Sequence, residues 1–147
     1  MAQAGLPVPC RAATFPLFEN VLADIGDNQS IIESLSTFSS HVLRLKTMME
    51  EVTSDSLVIL DEIGRATDPE EGGALGVAVT DHFRNCGAFT LVSTHLMPMK
   101  VYGANSEHVL NGSMGFDEAT LEPTYQLRLG APGKSAGLDI AKRLGIA

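Results

Sequence analysis

Phe38, Val42, Leu45, Met49 and Val52 follow one another at spacings of four and three, while Arg44, Lys46, Glu50 and Glu51 occupy the opposite face. That period predicts an amphipathic helix with Ser36 or Thr37 able to cap its start. Residues 56–60 form a short apolar run, rich in β-branched side chains, that stops at two acids, which predicts a strand buried on both faces. Asp68 as cap, Pro69 at the first helical position and Glu70 and Glu71 in the first turn predict a second helix to about Asn85, closed by Gly87. Residues 88–93 repeat the buried-strand pattern, so the two strands and the helix between them read as a parallel βαβ unit with a right-handed crossover. Upstream, residues 17–25 predict a short strand followed by a turn at Gly26, Asp27 and Asn28. Downstream, residues 107–116 and 121–129 predict two partly alternating strands around a turn at Asp117 and Glu118, and residues 135–144 a terminal helix. No segment repeats another.

Composition narrows this picture. A chain of 147 residues is the size of one domain, and 44% hydrophobic with 19% charged residues is the balance of a soluble globular protein. Its apolar runs are far too short to span a bilayer, and residues 1–13 lack the charged start and apolar stretch of a secretion signal. A cytoplasmic location with no membrane contact is expected. Pro7, Pro9 and Pro16 break any period before Leu17, so residues 1–16 read as a lead-in and residues 17–147 as the domain. Cys10 and Cys86 stand far apart without a CxxC, which indicates neither a disulfide framework nor a zinc site. Ten basic against eighteen acidic residues give a net charge of −8. That balance argues against nucleic-acid binding by this segment alone, and DNA or RNA contact would come from elsewhere.

Chemistry concentrates at the predicted strand ends. A buried strand that delivers Asp61 and Glu62 places two acids where open α/β sheets bind ligands. In nucleotide hydrolases such an acid holds Mg²⁺ and a second polarises the attacking water; an acidic pair can equally just end a strand or cap a turn. The next strand places Thr94 and His95 at the same edge if the two strands run parallel. There a histidine can hydrogen-bond a phosphate or serve as a structural residue. The Ser/Thr cluster of residues 34–41 opens a helix, whose free amides bind phosphate or need only a cap.

The order of these motifs is more specific than any one of them: STF at a helix start, a strand ending in DE, a loop with TD, then a strand ending in STH. Together with ADIGDNQSIIESLSTFSSH and the late GAPGKSAGLDIAKRLGI, this order resembles the ATPase domain of the MutS family, most closely its MutS-two branch, over nearly the whole chain. The resemblance implies an α/β fold: an ABC-type, P-loop NTPase-like ATPase subdomain with a mostly parallel sheet flanked by helices, using ATP and Mg²⁺. It implies Asp61 as the Mg²⁺ aspartate, Glu62 as the catalytic glutamate and His95 as the switch histidine. Ser36, Thr37 and Phe38 match the signature loop, which reaches across a homodimer to the other subunit's nucleotide. Thr67 and Asp68 match the D-loop at the same interface, and Gln29 corresponds loosely to a Q-loop contact.

Two departures qualify the match. Ala66 replaces a glycine common in the family, which restricts the loop's backbone without removing a catalytic group. The phosphate-cradling GxxxxGK[ST] is missing: GAPGKS would need glycine at position 128, which is Arg128, and it follows the acids instead of preceding them. The chain therefore reads as the C-terminal part of an ATPase domain, lacking the P-loop and, relative to the family, the DNA clamp and lever regions and the Smr nuclease domain. The resemblance implies DNA mismatch or recombination control, and in the MutS-two branch ribosome rescue. Partners are a second copy of the chain, and DNA or the ribosome through other regions. The alternative is a non-enzymatic dimerisation or regulatory fragment that keeps the trans-acting signature face.

Overall fold

The computed structural model describes residues 1–26, 37–65, 67–117, 119–120, 122–133, 137–143 and 145–146. They fall into two compact units, Met1–Leu96 and Met97–Ala147.

In the first unit, strands β1 (Asn20–Asp24), β2 (Ser56–Leu60) and β3 (Phe89–Val92) alternate with helices α1 (Thr37–Glu51) and α2 (Pro69–Asn85). The strands form one parallel sheet in the order β1-β2-β3, with Asp24 beside Leu60 and Leu60 beside Val92. All three carboxyl ends therefore lie along one edge. The two helices pack against each other, α1 also against β1 and α2 against β3, as two successive βαβ units require. Leu45 and Met48 of α1, Val79 and Phe83 of α2, Val58 and Leu60 of β2 and the following Ile63 make the core, with Phe83 and Val58 fully enclosed.

Helix α2 begins as its sequence dictates. The Asp68 carboxylate accepts the amides of Glu70 and Glu71 at 2.8 and 3.3 Å, and Pro69, with no amide of its own, costs nothing in the first turn. Gly87, at φ 82, supplies the left-handed residue beyond its end. The lead-in is tied down by Gln3, whose side chain donates to the Phe18 carbonyl at 2.7 Å and accepts the Phe18 amide at 3.0 Å.

Two strand expectations need correcting. In β2 only Ser56, Val58 and Leu60 are buried, while Leu57 and Ile59 are half-buried. β3 is not a buried strand: Phe89 is 57% and Leu91 50% exposed. Among the described residues it is the edge of the sheet, with a neighbour on one side, and its side chains at 89 and 91 share the face that Val21, Leu57 and Ile59 present, away from Val58 and Leu60.

The second unit contains α3 (Met97–Asn105), the antiparallel pair β4 (Gly112–Asp117) and β5 (Glu122–Leu129), and α4 (Gly137–Arg143). Helix α3 has no apolar stripe and was not expected. Pro98 sits in its first turn, Asn105 donates to the Val101 carbonyl at 2.8 Å, and Asn111 donates to the Lys100 carbonyl at 3.0 Å. β4 begins later than its alternation suggested because His108 turns the chain left-handed at φ 61. The Asp117 carboxylate accepts the amides of Ala119 and Thr120 at 2.7 and 3.1 Å, making the expected turn. These bonds favour the ionised carboxyl and hold its pKa below the usual carboxylate value.

Candidate functional site

The carboxyl edge of the parallel sheet gathers Asp24, Asp61, Glu62, Ser93, Thr94 and His95 at or just past the three strand ends. Asp61 continues the ladder for one more bond, its amide donating to the Asp24 carbonyl at 2.9 Å, while the Ser93 amide donates to the Leu60 carbonyl at 2.9 Å. The three strand ends are thereby locked in register past the regular sheet.

Ser93 orients the acids. Its hydroxyl donates to Asp61 Oδ1 at 2.5 Å and accepts the amide of Glu62 at 2.9 Å, and its carbonyl accepts the amide of Ile63 at 3.3 Å. A hydroxyl that donates to the first acid while receiving the amide of the second fixes both on one hinge. Glu62 itself has φ 50, the left-handed region that costs a side-chain-bearing residue about 1–2 kcal/mol. Its side chain is exposed, while the turn it makes delivers the next residue, Ile63, into the core at 1% exposure. The chain then turns back through Gly64 at φ 82, and the Arg65 amide donates to the Glu62 carbonyl at 3.2 Å.

His95 is exposed, just beyond Ser93 on the same edge, and Thr94 Oγ1 accepts the Leu96 amide at 3.1 Å to shape that loop. Thr67 and Asp68 stand at the mouth of α2. Thr67 Oγ1 donates to Glu71 Oε2 at 3.0 Å, and the Asp68 carboxylate is engaged as the helix cap described above. Phe38 lies half-buried in the first turn of α1 and Thr37 is that helix's first residue. Ser36, Gln29 and Ala66 lie outside the described residues.

Three contributors were not foreseen. Ser93 was visible only as part of a strand end. Asp24 and His41 form a buried polar contact: His41 Nδ1 lies 2.6 Å from Asp24 Oδ2 and Arg44 Nε 3.1 Å from Oδ1, with the two side chains of the first pair 5% and 2% exposed. Burial is the largest single influence on Asp24 and pushes its pKa up. The contact and charge of His41 and the charges of Arg44 and Arg65 together outweigh it, so the carboxyl lies below its usual value. A signal existed in the sequence: an acid closing an apolar strand, and a histidine between Phe38 and Leu45 on the apolar stripe of a helix, each need a buried partner.

Fold and edge together define an α/β protein with a polar site at the carboxyl ends of parallel strands, built around a serine-oriented acid pair. The family model described as MutS domain V matches residues 1–147, and the chain belongs to that family. It is 50% identical to the endonuclease MutS2 of Alkaliphilus metalliredigens over 147 residues, which is 99% of this chain and 19% of that protein. Against the proteins of the same name from Listeria innocua and Leuconostoc citreum, identity is 48% over 147 residues and 49% over 146. Each covers 99% of this chain, and the chain covers 19% and 18% of them. The chain thus spans about a fifth of the length of the curated relatives it matches. Among the described residues no helix is long and apolar enough to cross a membrane.

Proposed function

We propose that this chain is the part of an ABC-type, P-loop NTPase-like ATPase domain that carries the Mg²⁺ aspartate, catalytic glutamate, signature loop, D-loop and switch histidine. On this reading residues 1–16 lead in from a P-loop-bearing segment and residues 17–147 are the C-terminal part of the ATPase domain. The observation that carries it is the Ser93 clasp, which aims Asp61 and holds Glu62 in a left-handed conformation at the end of a parallel strand. Strain at an exposed acid beside the buried Ile63 supports a chemical role for its carboxylate.

The residues present suit a nucleotide-bound Mg²⁺ better than a free-standing metal centre. Among the described residues no group of three or more His, Cys, Asp or Glu could hold a metal, and Mg²⁺ is commonly held by one or two carboxylates plus the substrate's phosphates. Asp61 would provide that carboxylate, with Ser93 fixing its rotamer. The ion, when bound, neutralises charge on the transferring phosphoryl group. Glu62 would take the proton of the attacking water, and His95 would hydrogen-bond the γ-phosphate. Ser36, Thr37 and Phe38 would reach a nucleotide held by the second copy of a homodimer, with Thr67 and Asp68 at the same interface. ATP turnover would drive the longer, MutS-like protein on DNA, or on the ribosome, through regions beyond these residues.

The test is Glu62→Gln in the full-length protein that contains this chain. ATP binding should persist while turnover falls by about 10²-fold or more, the range general-base removal gives. Turnover at the parent rate would remove Glu62 from the mechanism, and a parent protein that turns over no ATP would sink the ATPase reading. The 147-residue chain alone, with no GxxxxGK[ST] to grip β- and γ-phosphates, should not turn ATP over.

A further inference from the structure

Asp24 does more than close β1. Its carboxylate is 2% exposed, with His41 and Arg44 of α1 at its two oxygens, and its main-chain carbonyl accepts the amide of Asp61. Arg65, just past the acids, donates to the carbonyl of Gly26, two residues beyond Asp24, and its charge favours the ionised Asp24. One residue therefore joins the first turns of α1, the end of β2 and the loop that follows the acids. Packing alone would favour apolar side chains here, since buried ion pairs are often no more stabilising than hydrophobic replacements. His41 Nε2, buried without a hydrogen-bond partner among the described residues, adds to that cost. Such a cluster is accounted for by what it fixes in place.

Resting on the ATPase reading above, we propose that Asp24 is a positioning residue that locks the start of α1, with Thr37 and Phe38, to the strand end bearing Asp61 and Glu62. The consequence is specific to a site shared between two copies. The acids serve the nucleotide held by their own subunit, whereas the loop at the start of α1 serves the nucleotide of the other. A rigid link between them makes the state of one nucleotide felt at the second through Asp24, over a path of one ion-pair contact and one main-chain bond. Asp24 touches no substrate on this reading, so its loss should alter turnover more than nucleotide affinity.

The experiment compares parent, Asp24→Asn and Arg44→Gln in the full-length protein, the second variant serving if the first fails to fold. Turnover at saturating ATP should fall about tenfold, equivalent to about 1.4 kcal/mol of barrier, with KM changed by less than about threefold. Amide exchange should quicken at Asp61, His41 and Val42 while the amides of Val79 and Phe83 in α2 exchange as in the parent. Unchanged turnover with unchanged exchange at Asp61 overturns the proposal. So does equal quickening throughout α2, which marks general loosening. A parent that hydrolyses no ATP sinks the ATPase reading separately, and exchange then decides the lock alone: quickening confined to Asp61 and the start of α1 upholds it, and its absence overturns it.

Discussion

Gly64→Ala offers a sharp test of how the acid-bearing loop is held on α2. Gly64 sits at φ 82, and a Cβ there would run into the Gly72 carbonyl and the Leu96 side chain. Gly72, in the first turn of α2, has an ordinary φ, but its Cβ would meet the Gly64 carbonyl in return. The two backbones touch because neither carries a side chain. Alanine at 64 incurs about 1–2 kcal/mol for the left-handed backbone and about 1–3 kcal/mol for forced displacement, offset by somewhat under 1 kcal/mol of lost unfolded-state freedom. A net loss of about 3 kcal/mol, divided by a urea slope of about 2 kcal/mol/M, lowers the unfolding midpoint by about 1.5 M. Gly26→Ala is the control: φ is 90 there, but no described residue lies within 4 Å of the added carbon. It should show the backbone component alone, about 0.5 M. Gly72→Ala should show mainly the contact component, reduced by up to about 1 kcal/mol of improved helix propensity. Urea titrations followed by circular dichroism measure all three. Midpoints for Gly64→Ala and Gly26→Ala that coincide, or a Gly72→Ala protein more stable than the parent, would refute the close approach.

Three further outcomes follow from the same geometry. Ser93→Ala removes a donor to a carboxylate and an acceptor for the Glu62 amide. It should cost about 1–3 kcal/mol in a urea titration and raise the Mg²⁺ concentration needed for turnover in the full-length protein; an unchanged Mg²⁺ requirement would separate Ser93 from the site. Asp68→Ala deletes the α2 cap and should cost about 0.5–2 kcal/mol, read as a lower melting temperature with the fold retained by circular dichroism. Because the folded-state pKa of Asp24 is lowered from 3.8, its contribution to stability is present above that value and is lost as pH falls through the lower, folded one. Stability of the parent should therefore drop more steeply than that of Asp24→Asn below about pH 4, and parallel acid titrations of the two would contradict this.

What could be read from the chain follows the range of the interactions involved. β2 was legible to the residue because charges terminate an apolar run, and the start of α2 because Asp68, Pro69, Glu70 and Glu71 act within one turn. The edge position of β3 was not, since strand order depends on neighbours remote in sequence and no local pattern encodes it. The Ser93 hydroxyl lies 32 positions from the carboxylate it orients, so the place of the acids at a strand end was legible and their clasp was not. Helix α3 escaped because it buries only Met99 and Gly103, too few to make an apolar stripe, while the Asn105 and Asn111 side chains bond to its carbonyls. The left-handed turn at Glu62 went unseen because glutamate gives no sign of it; Gly64 two residues later was the nearer clue.

The conformation of Glu62 also sets how this position can drift over generations. Glycine there would release the backbone strain and make the protein sturdier, whereas almost every other side chain would inherit the strain without the carboxylate. Stability alone thus pulls codon 62 toward glycine, and under the proposed function selection for the acid's chemistry would hold it back. A gene copy freed from that chemistry should lose this glutamate early while keeping its fold, so the identity of residue 62 becomes a marker, within a lineage, of whether the site is still in use.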